Sequence, residues 1–125
     1  MSFLLDNNIN DSEFLYRGVV SVNWDFENNR ASSAAFKDSK GTSVNRDGGR
    51  TDPEVVEHMV RTKPFKAIIK VTAKDVRDIG AIVIYKPEIP ENIYHSEIHD
   101  SSARLQLRGS KPAKLRDRSI EVFRK

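Results

Sequence analysis

A chain of 125 residues, 38% hydrophobic and 31% charged, is expected to form one globular domain around one core. It has no cysteine, which excludes disulfides, thiolate metal sites and thiol nucleophiles and fits a cytoplasmic protein. No apolar run approaches the roughly 20 residues of a membrane helix, and the opening MSFLLDNNINDSEF lacks the cationic region of a secretory signal, so no membrane association is expected.

Residues 1–12 read as a loosely held lead-in, with Phe3 and Leu4 available to pin one end. Phe14 to Val20 is rich in aromatic and β-branched residues and predicts a strand. Alternation puts Arg17 on the face of Leu15 and Val19, where a cation needs a carboxylate, a carbonyl or a ligand. Val22 to Phe26 predicts an extended segment entering a polar turn, with Trp24 as a packing residue. Arg30 to Arg50 is the least scaffold-like stretch, 21 residues dense in serine, cations and glycine. Within it, Ser32–Phe36 and Thr42–Val44 suggest two short strands, and Asp47-Gly48-Gly49 a turn.

Thr51-Asp52-Pro53-Glu54 is a helix start, and Val55, Val56, Met59 and Val60 supply an apolar stripe as far as Lys63-Pro64. Lys66 to Val71 predicts a strand with Phe65, Ala67, Ile69 and Val71 on one face. The Lys66, Ile68, Lys70 face is expected to be the more solvated one. Thr72 caps a short helix stopped by Gly80, and Ala81–Tyr85 reads as a buried central strand. Pro87–Asn92 is a stiff connector into a strand Ile93–His99, and Asp100–Ser102 fits either a hairpin turn into Arg104–Arg108 or a loop. A final helix from Ser110 is expected to pack Leu115, Ile120, Val122 and Phe123. The sum is an α+β fold, a mixed, mainly antiparallel sheet with two main helices packed on it, in a single domain spanning 1–125.

Arg104 to Lys125 holds eight Lys/Arg against Asp117 and Glu121, inside a net charge of +3 for the whole chain. Arg108, Lys111, Lys114 and Arg118 on this basic helix are candidate contacts to nucleic acid, or to an acidic protein partner.

His95, Glu97 and His99 fall at alternate strand positions, about 6–7 Å apart on one face. Two imidazoles and a carboxylate can form a metal ledge, but ligands from elsewhere would be needed and no metal is assigned. His95 is the stronger candidate for general acid/base work, with Glu97 to orient it or to serve as a second acid/base. Ser32, Ser33, Ser43, Lys37, Lys40 and Arg46 are candidate donors to phosphate oxygens. Neither common nucleotide fingerprint is present, no Ser-His-Asp assignment can be drawn, and no cofactor is expected.

Leu15-Tyr16-Arg17, Ser32 to Asp38, Ser43-Val44-Asn45-Arg46 and Asn92 to His95 together resemble a family of short prokaryotic proteins of uncharacterised activity. That family shares Leu-Tyr-Arg, Ser-Ser-Ala-Phe, Ser-Val-x-Arg and Asn-Pro-x-His segments; here Ile93 stands where the pattern has proline. The resemblance covers roughly residues 14 to 98 and implies no activity. The chain is also similar, over a shorter pattern, to ADP-ribosyltransferases, which implies Arg17, Ser32 or Ser33, and Glu97 as an NAD site; His95 stands where a Glu-x-Glu form needs glutamate.

The first expectation is a domain that binds or acts on RNA or a nucleotide through Arg17, Ser33, Arg46 and His95. Metal-independent RNA cleavage is the enzymatic version. A protein-interaction module docking through its basic helix, and an ADP-ribosyltransferase, are the alternatives.

Overall fold

The structure is a computed structural model and describes residues 8–125. Among the described residues six strands form one sheet in the order β6-β7-β4-β1-β5-β8, and all its pairings are antiparallel. They are β1 Phe14–Val19, β4 Thr42–Arg46, β5 Ala67–Thr72, β6 Ile82–Tyr85, β7 His95–His99 and β8 Ile120–Arg124. β2 Trp24–Asp25 and β3 Arg30–Ala31 make a separate two-stranded ribbon. Among the described residues three helices, α1 Asp52–Thr62, α2 Ala73–Asp78 and α3 Lys111–Arg118, complete the α+β architecture. Among the described residues no helix is long and apolar enough to cross a membrane.

Strand alternation divides the core. Leu15, Val19, Val44, Ile69, Val71 and Ile98 bury against Phe36, Val76 of α2 and Leu115 of α3. Tyr16 and Ile68 point the other way, against Val55 and Met59 of α1. The face of β5 expected to be solvated is therefore covered: Ile68 is fully buried because α1 lies over it. Val60 leaves the expected stripe and is exposed. Phe65 precedes β5 and packs with the α1-side cluster instead of following Ala67. At the start of α1, the Glu54 carboxylate accepts from the backbone N–H and hydroxyl of Thr51.

Ser33–Phe36 is a 3-10 turn rather than a strand. The turn buries Ala35 and Phe36 and offers their carbonyls to Arg17 and Thr42, which a flat strand would share with a neighbouring strand. Ala81–Tyr85 supplies an edge strand, β6, not a central one; Val83 and Tyr85 pack on the main core and all of β6 is only half-buried. The final helix stops at Arg118, and Ile120–Arg124 pairs with β5. Its β-branched residues extend the sheet, leaving Ile120 exposed while Val122 and Phe123 pack on the α1 side. β7 begins at His95, later than expected, and residues 104–108 form a loop with one isolated bridge, Ser101 to Arg104.

Phe3 and Leu4 lie outside the described residues. Residues 8–12 are held, not loose. Ile9 is buried, its carbonyl accepts from Arg77, and Asp11 pairs with Arg77 at 2.6 Å.

Candidate functional site

The pairing of β1 sets up the site. Six residue pairs join β1 to β5, but only Leu15↔Arg46 and Tyr16↔Asn45 join it to β4. Beyond Tyr16 the two strands part, and the Arg17 guanidinium fills the fork. Its Nε donates to the Ala35 carbonyl at 2.8 Å and its Nη1 to the Ser43 carbonyl at 2.9 Å. Burial pushes its pKa below the usual arginine value, while nearby Asp38 opposes that shift.

A cleft of about 300 Å³ opens at this fork. Arg17, Gly18, Ser43, Asn45 and His95 line it from the sheet, with Met59 and Lys63 from the end of α1 and Asp38 from the loop before β4. With neutral histidine, the cations Arg17 and Lys63 exceed the carboxylate Asp38 by one charge.

His95 reaches the cleft through the β4–β7 register, which pairs it with Asn45. The connector before it is hooked to β4: Asn92 Nδ2 donates to Asn45 Oδ1 at 2.7 Å, and the Arg46 N–H donates to the Tyr94 carbonyl at 3.0 Å. The imidazole is held at both nitrogens. Nδ1 lies 2.8 Å from the Lys86 carbonyl and Nε2 3.3 Å from Ser43 Oγ. A carbonyl only accepts, so Nδ1 carries hydrogen, and in the neutral ring Nε2 accepts from the Ser43 hydroxyl. Ser43 thus touches Arg17 through its carbonyl and His95 through its hydroxyl. Such a site can bind an anion and move a proton at one face of it.

The remaining candidates lie elsewhere. Arg46 is buried on the opposite sheet face, where Nε and Nη2 make a two-pronged pair with Glu13 at 2.7 and 2.8 Å and the guanidinium stacks on Tyr85. Ser32 and Ser33 sit at the start of the 3-10 turn and do not line the cleft. Glu97 accepts from His99 Nε2 at 2.8 Å and lies 3.7 Å from Lys86 Nζ, so it orients His99 and not His95. Gly41, with φ +92°, passes close to this pair: a Cβ there would meet the His99 ring at 2.7 Å. Among the described residues no three His, Asp or Glu side chains are grouped to hold a metal ion.

The basic C-terminal segment is divided between α3 and β8, and α3 lies on the sheet face away from α1. Lys111 pairs with Asp100 at 3.0 Å, and Arg118 approaches Asp78 at 4.0 Å. Arg108 and Lys114 are exposed.

Tyr16, Asp38, Asn45 and Lys63 join the cleft without having been singled out in the sequence. The strand period places Ser43 and Asn45 on one face, but which histidine meets them depends on the β4–β7 register. Tyr16 donates from its hydroxyl to Asp52, which also takes Lys70 Nζ at 2.9 Å. Burial first, then the Asp52 contact, raises the Tyr16 pKa far above the usual phenol value. The four segments Leu15–Arg17, Ala34–Phe36, Ser43–Arg46 and Asn92–His95 meet around the fork, the last three through Arg17, Ser43 and Asn45. No protein-family model matches this chain, nor does any curated protein or solved structure.

Proposed function

We propose that the fork cleft binds the phosphate-bearing end of a nucleotide or RNA chain and that His95 acts there as general acid/base in metal-independent phosphodiester cleavage. The observation that supports this is the meeting of Arg17, Ser43 and His95, carried on three different strands, at one opening. The volume of about 300 Å³ suits one nucleotide unit, at the small end of ligand pockets. Arg17 and Lys63 supply positive charge, and the Nη1 and Nε bonds of Arg17 take two of its five N–H groups, leaving donors for a phosphate. His95 enters the cycle with Nε2 as base because the Lys86 carbonyl holds the hydrogen on Nδ1.

The test pairs binding with turnover. A mononucleotide titrated by calorimetry should bind the wild-type protein, and a short single-stranded RNA should be cut without divalent metal. His95→Gln should keep mononucleotide binding while cleavage falls by about 10²–10⁴-fold, the usual contribution of a positioned acid/base. No mononucleotide binding sinks the site. Binding with RNA unchanged after prolonged incubation sinks the cleavage.

A further inference from the structure

We infer that Ser43 is a nucleophile, and that the proton His95 removes is the one on Ser43 Oγ. This rests on the phosphodiester reading of the cleft and names its chemistry. Three observations carry it. Ser43 Oγ lies 3.3 Å from His95 Nε2, within the reach of a nucleophile–base pair before substrate binds. A third group, the Lys86 carbonyl at 2.8 Å from Nδ1, fixes the ring in the tautomer that leaves Nε2 free to take a proton. Ser43 is exposed and lines the cleft beside the cation that would face the developing charge, Arg17.

The position of Ser43 is built into the sheet. Its carbonyl is held by Arg17 at the fork, and its residue pairs across β4–β7 with Glu97, one step along the same face from the Asn45↔His95 pair. The hydroxyl is therefore diagonal to the imidazole on one sheet face, a spacing within reach across neighbouring strands. Lys86 closes the frame from the β6 side: its N–H donates to the His95 carbonyl at 3.1 Å while its own carbonyl takes Nδ1–H.

The step balances as follows. Ser43 Oγ forms a bond to phosphorus while its hydrogen moves to His95 Nε2. The bond from phosphorus to the leaving oxygen breaks, and that oxygen takes the proton from Nε2 and departs as an alcohol. In the second half water gives a proton to Nε2 and attacks phosphorus; the Oγ–P bond breaks and Oγ recovers the proton. Nothing is oxidised or reduced, and water is the one co-reactant. Arg17 donates to the non-bridging oxygens of the phosphorane. A serine nucleophile needs no ribose hydroxyl, so phosphodiesters lacking a 2′-hydroxyl are also substrates, unlike cleavage by ribose self-attack.

The experiment uses the full chain with bis(4-nitrophenyl) phosphate and with a 2′-deoxy oligonucleotide. The wild-type protein should release one equivalent of nitrophenolate in a burst and gain the mass of one nitrophenyl phosphoryl group, mapped to Ser43, or else turn both substrates over continuously. Ser43→Ala should lose adduct and turnover of both. His95→Ala should slow adduct formation by about 10²-fold or more. Circular dichroism and an unchanged urea midpoint show that these variants are folded. The inference is overturned if the wild type gives no adduct and leaves the 2′-deoxy chain intact, or if Ser43→Ala cuts as fast as wild type. RNA cut only where a 2′-hydroxyl is present removes the serine step and leaves the cleft reading standing. Absence of mononucleotide binding removes both.

Discussion

Gly18 and Phe65 share one corner of the cleft: a Cβ on Gly18 would lie 2.2 Å from Cε1 of the Phe65 ring. The contact is side chain against backbone, so Gly18 is where β1 lets the ring lie flat over it. Phe65 also packs against the Tyr16, Val55, Met59 and Ile68 cluster, which limits how far it can withdraw. Gly18→Ala should therefore destabilise the fold by about 1–3 kcal/mol, as overpacking does. Urea denaturation checks this, and an unchanged midpoint would show that the ring moves aside freely.

Arg17 is a structural tie as well as a proposed ligand group. Arg17→Lys keeps the charge but cannot donate in the fork geometry to Ala35 and Ser43 at once. The expected outcome is a stability loss of about 1–3 kcal/mol from an under-bonded carbonyl, together with weaker mononucleotide binding. Measuring both on one preparation separates the two roles. A loss of binding with no loss of stability would contradict the tie.

Arg46 and Glu13 give a contrasting case. Their side chains are 7% and 11% exposed, and neutralising Glu13 takes a two-pronged, charge-assisted contact away from a shielded guanidinium. Glu13→Gln should lower stability by about 3 kcal/mol in chemical denaturation, within the range for buried pairs. Under conditions where the variant is folded, mononucleotide affinity should match wild type, because Arg46 faces away from the cleft. A large affinity loss in the folded variant would place Arg46 back in the site.

His58 sets a pH dependence. Burial first, then Arg50 and Arg61, lower its pKa below the ordinary histidine value. Arg50 Nη1 lies 3.2 Å from Nδ1, a contact that only a bare nitrogen can accept. The unfolded chain therefore binds the proton more readily than the folded one. Stability from this residue is complete above the unfolded value of about 6.5 and is lost as pH falls from there toward the lowered folded value. Denaturation midpoints at pH 7.5 and 5.5 should differ less in His58→Asn than in wild type. Equal differences would assign the acid sensitivity to other groups.

Much of the architecture was legible from local pattern. The Thr51–Glu54 start of α1, the Thr72 start of α2, the alternation of β1 and the Gly48–Gly49 turn depend on residues close in the chain, and all are present. Local pattern failed where a long-range partner decided the outcome. Ser33–Phe36 turns because Arg17 and Thr42 take its carbonyls. Ala81–Tyr85 is apolar on every position yet lies at an edge, since strand order is set by pairing and not by hydrophobicity. Ile120–Arg124 has apolar residues compatible with either a helix face or a strand, and the open side of β5 selects the strand.

The site divides in the same way. The amino-acid sequence by itself determined the chemical inventory: one domain with no thiol, a cation within an apolar strand, a serine-rich stretch and a histidine after a stiff connector. The tertiary structure alone decided which members meet. The incomplete β1–β4 pairing makes the fork that Arg17 enters, and the β4–β7 register brings Ser43 to His95 while sending Arg46 to Glu13 on the other face. The physical reason is the two-residue period of a strand. A register shifted by one residue would exchange the faces, and register is a property of strand pairs that no single segment carries.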